Sequence, residues 1–268
     1  MLSRSIAATV LKSSVLLKLG GIERKEGFNF DSFKKEIKKE VTQTWLERFI
    51  GFFEGDGTLT AHAKGFTFCI YSIHKPTLQK IQSVLGFGQI YFDANSVKWS
   101  YRVEKRKDIF LIMLILNGNL VLTHRYYKLI SVANEFNNKF FKGKGFPKKL
   151  NIQYHGTIPT LKDSWLSGFV DAEGHFGLPI ELGRKAISQY ISITFEIGQN
   201  GEKWLFELLK ELFKGGILFT SKSKKVEGHN RIVFKGVKLG ANPVTLVFDY
   251  FDNFPVYTKC LYWMEFYP

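Results

Sequence analysis

The sequence predicts an α+β fold built from two pseudo-symmetric αββαββ(α) repeats, and three observations carry that expectation. A short glycine-and-acid string occurs twice, FIGFFEGDG at 49–57 and LSGFVDAEG at 166–174. The order of helical and strand-like periodicities that follows the first string follows the second as well. Two segments, 97–104 and 190–197, alternate apolar and polar residues in the manner of antiparallel strands with one buried face.

In the first half a helix over Trp45–Asp56 ends at Gly57. Strands follow around 58–64 and 66–73, a helix around 76–85, strands near 88–93 and 97–104, and a helix around 108–117. The second half reads as a helix over 163–173 ending at Gly174, strands near 175–182 and 189–198, a helix over 201–213, strands near 216–223 and 229–237, and a helix over 243–252. Between the halves, the Gly-, Pro- and Lys-bearing stretch 139–160 lacks either period and reads as a linker. The predicted divisions are therefore 1–43 as an N-terminal extension, 44–138 and 161–268 as the repeats, and 139–160 as the connection.

The extension is read in two parts. MLSRSIAATVLKSSVLLKLG carries Arg4, Lys12 and Lys18, several serines and no acid, which fits either an organellar transit peptide or a segment packing on the core. Glu23–Gln43 has charges alternating in sign and reads as a solvated helix face or a linker.

Composition narrows the partners. With 38 Lys+Arg against 24 Asp+Glu, the net charge is +14, and clustered cations gain by displacing counterions from phosphate. The two cysteines, Cys69 and Cys260, form no CxxC pair, so neither a disulfide framework nor a zinc site is expected. No apolar run reaches the roughly 18–20 residues needed to span a bilayer, so a soluble chain is expected.

Alternation also nominates a nucleic-acid face. Lys98, Ser100, Arg102 and Glu104 lie opposite Val97, Trp99, Tyr101 and Val103. Tyr190, Ser192, Thr194 and Glu196 lie opposite Ile191, Ile193, Phe195 and Ile197. A two-stranded ribbon of this kind fits the major groove of double-stranded DNA. Arg184, Lys222, Lys224 and Arg231 complete the candidate DNA contacts.

The two strings carry the chemistry. Gly51 and Gly55, and likewise Gly168 and Ala172, sit four apart on one helical face, and small residues at that spacing let two backbones approach closely. Glu54 and Asp56, like Asp171 and Glu173, fall in the last helical turn before Gly57 and Gly174, the expected C-terminal caps. Carboxylates there face the negative end of the helix dipole, at a cost of about 0.3–1 kcal/mol each. A shared cation offsets that cost, and oxygen-only ligation suits Mg2+. Such a centre activates water for phosphodiester cleavage.

On these residues the chain resembles the LAGLIDADG homing endonucleases of the single-chain, two-motif type, from about residue 44 onward. FIGFFEGDG departs from the family string at its first two positions and has Glu54 where Asp is common, whereas LSGFVDAEG is a close match. The resemblance implies a saddle with two antiparallel DNA-binding sheets. It implies Asp56 and Glu173 as catalytic metal ligands, and Glu54 and Asp171 as structural. SITFEIGQNGEKWLFELLKELFKGG is similar to the family's strand-turn-helix and puts Gln199 where a polar residue orders active-site water. In the first half His74 or Tyr71 stands in for it. Lys235 is the implied basic residue near the scissile phosphate, with Arg102 or Lys105 in the first half.

The implied function is Mg2+-dependent, site-specific cleavage of double-stranded DNA by a monomer of the intron-homing kind. Mn2+ is expected to substitute. The location is mitochondrial or chloroplast. An intron-RNA maturase and a non-catalytic DNA-binding derivative are the alternatives on the same fold.

Overall fold

The computed structural model describes residues 17–140, 149–177, 180–182, 189–221, 228–236 and 243–258. The chain divides into two compact units, one running to Pro159 and taking in Asp163–Phe169, the other comprising Thr160–Lys162 and the chain from Val170. Among the described residues no helix is long and apolar enough to cross a membrane.

The first unit contains β1 (Leu17–Leu19), β2 (Ile22–Glu26), α1 (Asp31–Glu36), α2 (Gln43–Asp56), β3 (Gly57–His62), β4 (Gly65–Ser72), α3 (Lys75–Leu85), β5 (Gln89–Asp93), β6 (Lys98–Val103), α4 (Arg106–Leu116), α5 (Thr123–Phe140) and β7 (Gly156–Ile158). The Thr42 side chain accepts the Trp45 N–H at 3.3 Å and starts α2, satisfying one of the donors that a helix start leaves open. Pro76 lies in the first turn of α3, and Gly86 at φ 79° ends it, the usual asymmetry of helix ends.

Strands β3, β4, β6 and β5 form an antiparallel sheet in that order. Period-two alternation sends Leu59, Phe68, Ile70, Tyr101 and Val103 inward, all buried. Phe53 and Phe49 of α2 stack on Phe68 at 5.0 and 6.0 Å. Helix α4 is buried from Ile109 through Leu116 because it packs against β4 and also against α1, α2 and α5.

The helix α6 (Trp165–Glu173) begins within the first unit and ends within the second. The second unit continues with β8 (Gly174–Gly177), β9 (Ile180–Leu182), β10 (Gln189–Ile191), β11 (Ile193–Asn200), α7 (Lys203–Leu212), β12 (Ile217–Thr220), β13 (His229–Gly236) and α8 (Pro243–Asn253). Its main sheet has the order β12-β13-β11-β8, the first unit's order in matching sequence. Phe176, Phe195 and Phe234 lie side by side on its inner face at 4.9 and 5.9 Å, with Phe251 of α8 edge-on to Phe195 at 5.4 Å.

Several sequence expectations are corrected here. Residues 23–43 are not a solvated face or linker: β2 pairs in parallel with β7, and Arg24, Phe28, Phe30, Phe33 and Val41 are buried. The stretch 139–160 holds β7, and Leu150 N–H and C=O bond the Asn137 side chain at 3.0 and 2.9 Å. Helix α5 follows α4 where no helix was expected. The strands expected over 175–182 and 189–198 are each resolved into two, with β9 pairing β10 apart from the main sheet.

Candidate active site

The two motif helices touch through their glycines. A Cβ on Gly51 would drive into the Trp165 carbonyl oxygen and lie 2.7 Å from the Phe169 nitrogen. One on Gly168 would drive into the Arg48 carbonyl oxygen and lie 2.9 Å from the Phe52 nitrogen. Counting along the two strings, Trp165 corresponds to Arg48 and Phe169 to Phe52, so each glycine meets the other helix at equivalent places. No side chain fits there, which explains why glycine is kept in a helix interior at a cost of about 0.5–1 kcal/mol. Ser164 N–H donates to Glu47 Oε2 at 3.2 Å, and Asp163 Oδ1 accepts the Trp165 N–H at 3.2 Å, so α2 also helps to cap α6. Gly55 and Ala172, the other predicted packing residues, are half-buried in the last turns.

The four acids separate into two kinds. Glu54 is fully buried, and its carboxylate accepts Val121 N–H at 2.9 Å, Leu122 N–H at 2.6 Å and Trp165 Nε1–H at 2.7 Å. Arg125 donates to the Glu54 and Gly55 carbonyls at 3.0 and 3.2 Å, placing a cation on the negative end of α2. In the second unit Asp171 is buried and accepts Tyr257 N–H at 2.8 Å and Thr258 N–H at 2.7 Å. The Thr258 hydroxyl bonds its carbonyl at 2.9 Å. Each motif thus uses its sixth residue to grip two successive backbone amides in the segment after the sheet-covering helix. By contrast Asp56 is half-exposed and Glu173 exposed, each the last residue of its helix.

The glycine after each acid is not a left-handed cap. Gly57 is extended, φ −100° and ψ 166°. A side chain there would meet the Phe53 ring, with a carbon at 2.8 Å, and one at Gly174 would lie 2.9 Å from the Val170 carbonyl oxygen. The requirement is steric: the chain turns directly from helix into β3 or β8 over an apolar residue of the last turn.

A family model described as LAGLIDADG endonuclease matches residues 166–263. Over those residues the chain is similar to the LAGLIDADG endonuclease family. It is 29% identical over 227 residues to the "Probable intron-encoded endonuclease 4" of Neurospora crassa, a match covering 82% of this chain and 38% of that protein. It is 24% identical over 239 residues to the "Uncharacterized cox1 intron-2 37.2 kDa protein" of Schizosaccharomyces pombe, covering 87% and 68%. Among solved structures it is similar to the I-LtrWI LAGLIDADG homing endonuclease bound to target DNA, with TM-score 0.63, 17% identity and coverage of 83% and 88%. It is also similar to the LAGLIDADG meganuclease I-AabMI bound to uncleaved DNA, with TM-score 0.60, 21% identity and coverage of 79% and 85%. The structural likenesses carry the fold. The chain spans only 38% of the length of the Neurospora relative.

Strand register aligns the two sheets and their motifs residue by residue. Gly57 pairs Ile70, which pairs Tyr101; Gly174 pairs Ile197, which pairs Ile232. Gln199 therefore corresponds to Ser72, and not to His74 or Tyr71. Lys235 corresponds to Glu104, and not to Arg102 or Lys105. Gln199 is half-exposed and lies two residues beyond the partner of Gly174, beside the end of α6. Ser72 is buried, and its hydroxyl accepts the His74 N–H. Lys235 is exposed on the outer face opposite Thr194, three residues or about 10 Å along the strand from the row of Gly174.

The outer faces are partly as expected. Lys98, Glu104 and Arg231 are exposed, and Arg102, Thr194 and Glu196 half-exposed. Ser100 and Ser192 are corrections, because both are buried. Ser100 is paired between Tyr71 and Tyr91 and receives the Arg102 Nε–H at 3.2 Å. Ser192 sits at the break between β10 and β11. Arg184, Lys222 and Lys224 lie outside the described residues. An arginine rests on an aromatic ring in each sheet: Arg102 on Tyr91 at 5.4 Å, and Arg231 on Phe219 at 5.1 Å with Glu196 at 3.4 Å. Sequence reasoning missed Trp165, Arg125 and Arg24. The Trp immediately before LSGFVDAEG was the one local signal available.

Proposed function

We propose that this chain is a site-specific double-strand DNA endonuclease of the intron-homing kind, hydrolysing phosphodiesters with Mg2+ held by Asp56 and Glu173. The observation that carries the reading is the duplicated division of labour among the acids. In each motif the sixth residue is buried on backbone amides, while the eighth is the last residue of its helix, half-exposed at Asp56 and exposed at Glu173.

The donor set fits a hard cation. Among the described residues no three His, Cys, Asp or Glu side chains gather into a cage, and Mg2+ is commonly held by one or two carboxylates with water and phosphate oxygens supplying the rest. When bound, the metal supplies an activated water and neutralises charge at the leaving oxygen. The chain's own part is to bind and orient. The outer sheet faces carry Arg102, Arg231, Lys98, Thr194 and Glu196 toward base edges and phosphates. Gln199 orders water beside Glu173, and Lys235 contacts a phosphate. Because the repeats differ at the Gln199–Ser72 and Lys235–Glu104 pairs, the two strand cleavages proceed at unequal rates on a long, asymmetric site, leaving short 3′ overhangs.

We extend the reading to a monomer acting in mitochondria, supported by the cox1 intron after which the Schizosaccharomyces pombe relative is named. One solved neighbour, I-SmaMI, is described as bound to uncleaved DNA target in the presence of calcium ions, so Ca2+ is expected to support binding without cleavage here. The test is incubation of the full chain with a plasmid library carrying randomised inserts. Linearisation of a small set of related plasmids in Mg2+ or Mn2+, abolished by EDTA, is expected. Tight binding to one site with no cleavage in any divalent metal would refute it.

A further inference from the structure

We propose that the N-terminal ribbon β1-β2 is part of the cleavage machinery, with Arg24 a positioning residue for the helix end that carries Asp56. The inference rests on the endonuclease reading above. It concerns a stretch that lies ahead of both motif strings.

Arg24 is completely buried, a placement a guanidinium tolerates only when its donors are matched. Its Nε donates to the Leu19 carbonyl at 3.0 Å and Nη2 to the Thr123 hydroxyl at 2.9 Å. Its Nη1 donates to the Val121 carbonyl. That carbonyl belongs to the peptide group whose N–H, on Leu122, donates to Glu54 Oε1 at 2.6 Å. One peptide plane therefore joins the two side chains, accepting from Arg24 on one edge and donating to Glu54 on the other. Hydrogen bonds linked in this way strengthen one another in a dry interior. Glu54 and Asp56 share the last turn of α2, so the plane's position sets the direction of the Asp56 carboxylate.

The ribbon is itself held for this purpose. β2 pairs in parallel with β7, with Arg24 opposite Gly156, and a Cβ on Gly156 would lie 2.7 Å from Arg24 Nη1. The glycine leaves the room that the guanidinium occupies. The ribbon meets the peptide that grips Glu54 of the first motif, whereas Asp171 of the second accepts from residues 257 and 258 of its own repeat.

The experiment compares full-length wild type, Arg24→Met, Arg24→Lys and Gly156→Ala. It reads single-turnover cleavage in Mg2+, DNA affinity in Ca2+, and amide exchange at Leu122 against α3 as a reference. Arg24→Met is expected to keep DNA affinity, lose Leu122 protection and cut about a hundredfold more slowly, the effect of misplacing a reacting group by about 1 Å. Arg24→Lys, which restores a donor to the Val121 carbonyl, should recover part of both losses. If Arg24→Met does not fold, Gly156→Ala, which retains Arg24 and displaces it, should show the same pattern in milder form. Wild-type cleavage and Leu122 protection in folded Arg24→Met or Gly156→Ala would overturn the inference. A wild type that binds DNA and cuts none would instead sink the endonuclease reading itself.

Discussion

Burial pushes the Glu54 carboxyl up to about 7 against the pull of the Leu122, Trp165 and Val121 donors and the Arg125 charge. A carboxyl raised in the folded state contributes stability that is fully present below its unfolded value of 4.5, and that contribution is lost as pH rises through about 7. Thermal melts should therefore show this contribution declining from about pH 5 to 8, and Glu54→Gln should lack that component. The variant should also be less stable overall by about 1–3 kcal/mol, because one of its two acceptor oxygens becomes an NH2 group that faces a buried donor, Leu122 N–H or Trp165 Nε1–H. A wild-type midpoint that climbs across that interval, with Glu54→Gln flat, would contradict the account. At this scale the resemblance read from the sequence set Glu54 and Asp171 apart from Asp56 and Glu173, and both of the former are buried on backbone amides. It could not show what Glu54 binds, because Val121, Leu122 and Trp165 are 67, 68 and 111 residues away. The reason for Gly57 was also hidden, since it depends on where the Phe53 ring falls.

Helices and strands were legible wherever their own period sufficed. The four strands of the first sheet and the helices over them emerged from alternation and 3.6-residue spacing, because each buries one face against a neighbour in its own repeat. Helix α5 has regular apolar spacing at Tyr126, Leu129, Val132 and Phe136, yet a repeat pattern ending at α4 left no place for it. β2 was illegible for a different reason: IERKE looks solvated unless its partner Gly156 is known. Packing of the motif helices gives a second prediction. Gly51→Ala and Gly168→Ala force a methyl into facing backbone and should each cost about 1–3 kcal/mol or more in denaturant unfolding. Gly65→Ala, whose Cβ would have its nearest neighbour at 3.9 Å, should stay within about 0.5 kcal/mol. Equal effects at all three positions would mean that the close approach of α2 and α6 is wrong.

For the molecule as a whole, duplication made the architecture readable, and the net charge of +14 pointed to a polyanion before any motif was considered. The sequence already offered no Gln in the first half to match Gln199, but that Ser72 holds the place depends on strand register. The charge predicts that DNA affinity falls steeply and linearly in log–log form with salt, with a slope near −0.9 per phosphate contacted. Substituting the exposed Lys98 or Lys235 by Ala should make that slope shallower by about one contact. The most direct measurement for the metal centre is cleavage of the selected DNA site by Asp56→Asn and Glu173→Gln, with binding measured in Ca2+ on the same preparations. Binding close to wild type with double-strand cleavage reduced at least about a hundredfold in each variant is the predicted result, and near wild-type cutting by either one would contradict the role given to the eighth-position acids.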